Sequence, residues 1–150
     1  MKTLNLLFII FVLVIFLVAI EFYFKQNVKQ QSGLQLQLCN KTYFASIAAD
    51  DYKRTVGFSN QKVIKDDQAI LFVFPDEEIR YFWMKDTLFN LSIIFLDKDK
   101  KVVNFFDMQT CFDDKECQVY SSMKKAKYAI EIKKANLSCL QIGQQINFSD

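Results

Sequence analysis

The chain has 150 residues, 51% of them hydrophobic, with sixteen Phe, six Tyr and one Trp, and nineteen Lys plus Arg against seventeen Asp plus Glu give a net charge of +2. That apolar content is too high for a disordered chain, the length suits one folded domain, and the balanced charge offers no clustered basic face for nucleic acid. With no histidine, a Ser-His-Asp triad, a Cys-His pair, His-ligated zinc and an imidazole proton shuttle are excluded, so any acid or base must be Asp, Glu, Lys, Tyr or Cys.

Leu4 to Ile20 has Asn5 as its only polar member, and Phe22-Tyr23-Phe24 extends the apolar run. About 20 apolar residues cross a bilayer, so residues 1–24 are expected to form a signal-anchor, with the membrane contact made through residues 4–24. The small residues of a cleavage site are missing around Val18-Ala19-Ile20-Glu21, which favours retention over secretion after cleavage. Residues 25–33 are polar and Gln-rich, a tether, and a single domain is expected over 34–150.

Leu34, Leu36 and Leu38 alternate with Gln35 and Gln37, the period of a half-buried strand, and Asn40-Lys41 turns it into a second strand over Tyr43 to Ala48. Asp50 is placed to cap a short helix over 51–56, ended by Gly57. Ala69 to Phe74 predicts a strand that Pro75 and Asp76-Glu77-Glu78 turn. Arg80 to Met84 and Leu91 to Leu96 read as strands buried on both faces, and Asp97-Lys98-Asp99-Lys100 as a solvated turn into Val102 to Asp107. Gln118 to Ser122 predicts a short strand, and Tyr128, Ile130 and Ile132 alternate with Ala129, Glu131 and Lys133. A final helical turn or two over Ala135 to Gln141, closed by Gly143, and a last strand over Gln144 to Phe148 complete an α+β domain. A mainly antiparallel, curved or barrel-like sheet with two short helices is the most economical arrangement of these elements.

The four cysteines, Cys39, Cys111, Cys117 and Cys139, all follow the apolar segment, an even number that fits disulfides on the extracytoplasmic, oxidising side. Cys111 and Cys117 would close a small loop and leave Cys39 for Cys139, although four cysteines permit three connectivities and spacing does not choose among them. The Cys-x-x-Cys spacing of a thiolate metal site is absent, and neither a metal nor a cofactor is expected.

Phe72-Val73-Phe74-Pro75, Phe82-Trp83-Met84-Lys85-Asp86-Thr87-Leu88 and Ile93-Ile94-Phe95-Leu96-Asp97 together resemble, in order and spacing, the prokaryotic family known as domain of unknown function 192. The resemblance runs from about Tyr43 to Phe148 and includes Arg54, Gly57, Cys111, Cys117, Tyr120, Ser121, Ala126, Tyr128 and Glu131. It implies a small, mostly β domain, often exported behind a signal peptide or membrane anchor, and no established reaction. The chain departs from the family pattern at Asp86, Asn90 and Ser92, where Asn, Pro and an acidic residue are usual, and in its C-terminal loop.

Trp83, Lys85, Asp86 and Thr87 form the candidate site, a cation, a carboxylate and a hydroxyl beside an indole, with Arg80 and Tyr120 as further members. Strand alternation puts Trp83 and Lys85 on one face and Met84 and Asp86 on the other, so a common pocket requires a turn starting near Lys85. The alternative is a buried Lys-Asp network that fixes the fold around a core Trp. These features suggest a membrane-anchored extracytoplasmic module that binds a small polar ligand or an envelope protein. A hydrolase or lyase using Asp86 as base and Lys85 as stabiliser, and a structural partner of an envelope complex, are the alternatives.

Overall fold

The computed structural model describes residues 11–23, 33–111 and 117–148. Two compact units divide near residue 32, and each is treated separately. In the first, residues 11–23 form a helix, α1, with large exposed apolar side chains such as Phe16 and Phe22. Among the described residues no helix is long and apolar enough to cross a membrane, and residues 1–10 and 24 of the expected span, like most of the tether, lie outside them.

The second unit is a six-stranded sheet formed by β1 (Leu34–Leu38), β2 (Lys41–Ala48), β3 (Gln68–Phe82), β4 (Leu91–Leu96), β5 (Val102–Met108) and β6 (Tyr120–Lys133), in the order β1-β2-β3-β6-β4-β5. The sheet is open, with β1 and β5 as its edges, which corrects the barrel-like expectation. It is also mixed: β2 and β3 run parallel, while the other pairs are antiparallel. A parallel pair needs a crossover, and the segment 49–67 supplies one that includes helix α2 (Asp51–Val56). This short helix matches its expected bounds. The Asp50 carboxylate accepts from Lys53 N at 2.8 Å, and Gly57 N donates to Lys53 O at 3.0 Å.

Central strands β3, β4 and β6 send alternate side chains into two apolar clusters. Ala69, Leu71, Ile94, Leu96, Tyr128, Ile130 and Ile132 join one, which the C-terminal segment supplies with Leu137, Leu140 and Ile146. Ile70, Phe72, Ile93, Phe95 and Ala129 join the other, together with Phe58, Ile64 and Met84 from the connections. Every residue of β4 is buried, as its continuous apolar run implies.

Three boundaries differ from expectation. The strands expected on either side of Pro75 are one strand, β3, whose pairing with β6 is interrupted between Val73 and Glu78. The two segments expected around Met123 are likewise one strand, β6, with Met123 at φ 61° and Ser122 fastening the irregularity: its hydroxyl donates to Lys124 O at 2.5 Å and accepts from Arg80 N at 3.0 Å. The C-terminal helix and last strand are replaced by turns and one isolated bridge between Gln145 and Lys101, because the cluster beneath them buries Leu137, Leu140 and Ile146 without requiring regular structure. The Asp97 turn forms as expected, with Asp97 Oδ1 accepting from Asp99 N and Lys101 N at 2.9 Å.

Candidate functional site

Helix α2, the Gly57–Ser59 turn, the outer half of β3 and the turn that follows it enclose a concavity of about 480 Å³. Its lining brings together Arg80, Trp83 and Thr87 of the sequence candidates. The turn that this convergence requires is present: Thr87 N donates to Met84 O at 3.1 Å, and Asp86 takes a left-handed φ of 54°. Thr87 is buried, at 6% exposure, and its hydroxyl donates to Lys85 O. Trp83 is 51% exposed and therefore belongs to the rim, not to a core.

Lys85, Asp86 and Tyr120 do not line this concavity. Lys85 Nζ lies 5.5 Å from the Trp83 ring centre. Asp86 is exposed, so the alternative of a buried Lys85-Asp86 network is corrected: the turn lifts the carboxylate into solvent. Tyr120 is buried against Phe106, with ring centres 5.9 Å apart, and its hydroxyl accepts from Gln109 N.

The concavity contains a group that the sequence reading missed. Glu131 lies in β6 between Ile70 of β3 and Ile93 of β4, is only 5% exposed, and lines the concavity. No hydrogen bond or ion pair to its carboxyl is found among the described residues, and desolvation raises its pKa from 4.5 to about 8. Period-2 alternation assigns Glu131 to a solvent face opposite Ile130 and Ile132. That assignment fails because β6 is a central strand with both faces covered. An acidic residue in a strand with apolar neighbours on either side was the available signal. Gly57 permits the close fit: a Cβ there would meet Glu131 Oε2 at 3.3 Å and Phe72 Cζ at 3.4 Å, on a backbone with φ 48°.

Two guanidiniums frame the opening. Arg54, from α2, donates to Ala49 O, to Val73 O at 2.8 Å and to Asp51 Oδ1 at 2.6 Å. Arg80 donates to Ala126 O at 3.1 Å, to Asp76 O at 2.6 Å and to the Asp76 carboxylate. Both approach the Phe74 ring, Arg80 at 4.1 Å and Arg54 at 5.6 Å from its centre. Behind them, Phe82 packs edge-on against Phe72 at 5.0 Å and Phe95 at 5.5 Å. The arrangement combines a desolvated carboxyl, two fixed cations and an aromatic floor. Among the described residues no group of three Cys, Asp or Glu side chains is placed to hold a metal ion.

Both expected disulfides are present, Cys39 to Cys139 and Cys111 to Cys117, and no cysteine is free. They fit an oxidising, extracytoplasmic environment.

No curated protein matches the chain. Two solved structures share its fold. A protein from Sinorhizobium meliloti 1021, provisionally described as a transcription regulator, is 18% identical, with a TM-score of 0.65 over 77% of this chain and 91% of that one. A protein of unknown function from Novosphingobium aromaticivorans DSM 12444 is 17% identical, with a TM-score of 0.63 over 76% of this chain and 82% of that one. The profile of DUF192, described as "Uncharacterized ACR", matches residues 34–148, and the chain belongs to that family.

Proposed function

We propose that this protein is a membrane-anchored, extracytoplasmic module that binds a small polar ligand in the concavity beneath Gly57. The observation that carries the reading is Glu131: a largely buried side chain whose carboxyl has no protein partner among the described residues and opens only onto the cavity is costly unless something is gained from it. Arg80, Trp83 and Thr87 contribute to the same lining, and Lys85 lies over the indole. The apolar run through residues 4–24 supports the anchor, and the two disulfides support export.

Thermal melting of the full-length chain against saccharides, nucleotides, amino acids and cell-wall fragments tests the binding claim. At least one compound is expected to raise the melting temperature of the wild type and to do so less for Glu131→Leu. If no compound separates the two proteins, the concavity is not a binding site.

An envelope protein as partner is favoured by a different observation. Ile79 and Tyr81 at the end of β3 and Trp83 just beyond it are all exposed, a cluster of large apolar side chains at the surface. Photocrosslinking from position 81 would then capture one discrete partner in intact cells, whereas diffuse or absent products would count against it.

A further inference from the structure

We infer that the ligand is a neutral, hydroxyl-rich molecule with one apolar face, a saccharide, seated with a hydroxyl on the Glu131 carboxyl and a ring face against Trp83. This deepens the binding reading above and rests on it. Charge narrows the ligand class. Each guanidinium at the opening already has a counter-charge and two main-chain acceptors: Arg54 has Asp51, Ala49 O and Val73 O, and Arg80 has Asp76, Asp76 O and Ala126 O. An anionic ligand would have to displace or outcompete these partners. A cationic ligand would need Glu131 ionised, which its burial opposes, and would share the space with two guanidiniums.

Hydrogen-bonding capacity narrows it further. A protonated carboxyl offers one donor and further acceptor capacity, the same mixed character as a sugar hydroxyl, so each can satisfy the other. Shape fits the same class. Tyr81 and Trp83 hold aromatic surface at the rim, 66% and 51% exposed, where a pyranose can lay its C–H face while its hydroxyls reach inward. The charged groups that share this space with Glu131 are Asp51 and Arg54 from α2 and Arg80 from β3; it has Ile70 and Ile93 beside it on the adjoining strands.

Trp83 is the only tryptophan, so its emission reports on the site directly. The full-length chain in a non-glycosidic detergent would be titrated at pH 6.5 with chitotriose and maltotriose, and with benzylamine and benzoate as charged aromatic probes. One of the saccharides is expected to give a saturable change and the charged probes none. Glu131→Gln, which still donates and accepts, is expected to stay within about threefold of wild-type affinity, and Glu131→Leu to lose roughly tenfold or more. If Glu131→Leu does not fold, Trp83→Ala followed by calorimetry takes its place, with the same loss expected. Saturable binding of benzylamine or benzoate but of neither saccharide would overturn the saccharide assignment and leave the binding reading standing. No response to any probe, together with no stabilisation of the wild type by any compound in the melting screen, would overturn both.

Discussion

A carboxyl surrounded by apolar side chains prefers its proton, and Glu131 places that preference in the middle of the sheet. In the unfolded chain it ionises near 4.5, whereas in the folded chain it holds its proton to about 8. Between these values the unfolded state releases a proton that the folded state keeps, so stability falls as pH rises through the window. Below it both states are protonated and the cost is absent; above it the cost is constant. For one group shifted this far the total is on the order of 5 kcal/mol. Asp50, held low by the Lys53 main-chain N–H, and Asp66 and Asp76, held low by hydrogen bonds from Lys133 and Arg80, titrate below the window and do not blur it. Urea unfolding is expected to show the wild type losing stability from pH 5.5 to pH 8, while Glu131→Gln changes far less. Parallel profiles for the two proteins would mean that Glu131 is solvated in solution. The six candidates taken from the sequence divide evenly, three lining the concavity and three outside it. For Lys85 and Asp86 the divider is the left-handed Asp86 backbone, a property of the turn that no local periodicity encodes, whereas Tyr120 is held away on β6 with its ring against Phe106.

At the scale of elements, a residue that usually ends a strand is tolerated inside β3. Partner β2 accompanies β3 only from Gln68 to Phe72, and the β6 register lapses between Val73 and Glu78, so Pro75 falls where neither neighbour requires its missing N–H. Local rules divide the strand at Pro75 because they see the proline and not the absence of partners. Alternation in β1, the Asp50 cap and the Gly57 stop were legible because those patterns are local. Arg80 spans the irregularity: its side chain bridges Asp76 O on one side and Ala126 O on the other. Arg80→Ala is therefore expected to destabilise the protein by about 2 kcal/mol, since two carbonyls and the Phe74 ring lose their partner. Arg80→Lys should recover only a fraction, because an ammonium lacks the planar fork that serves both strands. Equal stability of Arg80→Ala and wild type in denaturant would show that the guanidinium is dispensable to the fold. Gly57→Ala tests the other wall. The φ of 48° and the approach of Glu131 Oε2 and Phe72 Cζ act together, and a loss of about 1–3 kcal/mol in the same assay is expected. An unchanged midpoint would mean that the carboxyl does not lie against this turn.

For the whole molecule, the two disulfides carry unequal weight because they close loops of very different length. Cys39 lies in the turn that joins edge strand β1 to β2, and Cys139 belongs to the irregular segment that contributes Leu137 and Leu140 to the core, so their bond spans 100 residues and ties both ends of the domain together. Cys111 and Cys117 are only six residues apart. On chain-entropy grounds the long bridge restricts the unfolded ensemble by about 5 kcal/mol and the short one by about 2 kcal/mol. The native contacts point the same way. An edge strand and a segment with little regular structure have few backbone partners of their own, so the bond between them supplies order that hydrogen bonding does not. Unfolding of Cys39→Ser/Cys139→Ser and of Cys111→Ser/Cys117→Ser, each with the other bridge intact, is expected to show the first pair losing roughly twice the stability of the second. Reducing the wild type should lower stability at least as far as the first pair does. Equal losses would show that loop length is not what the long bridge contributes, and a smaller loss for Cys39 and Cys139 would place its value in the folded state's local geometry instead.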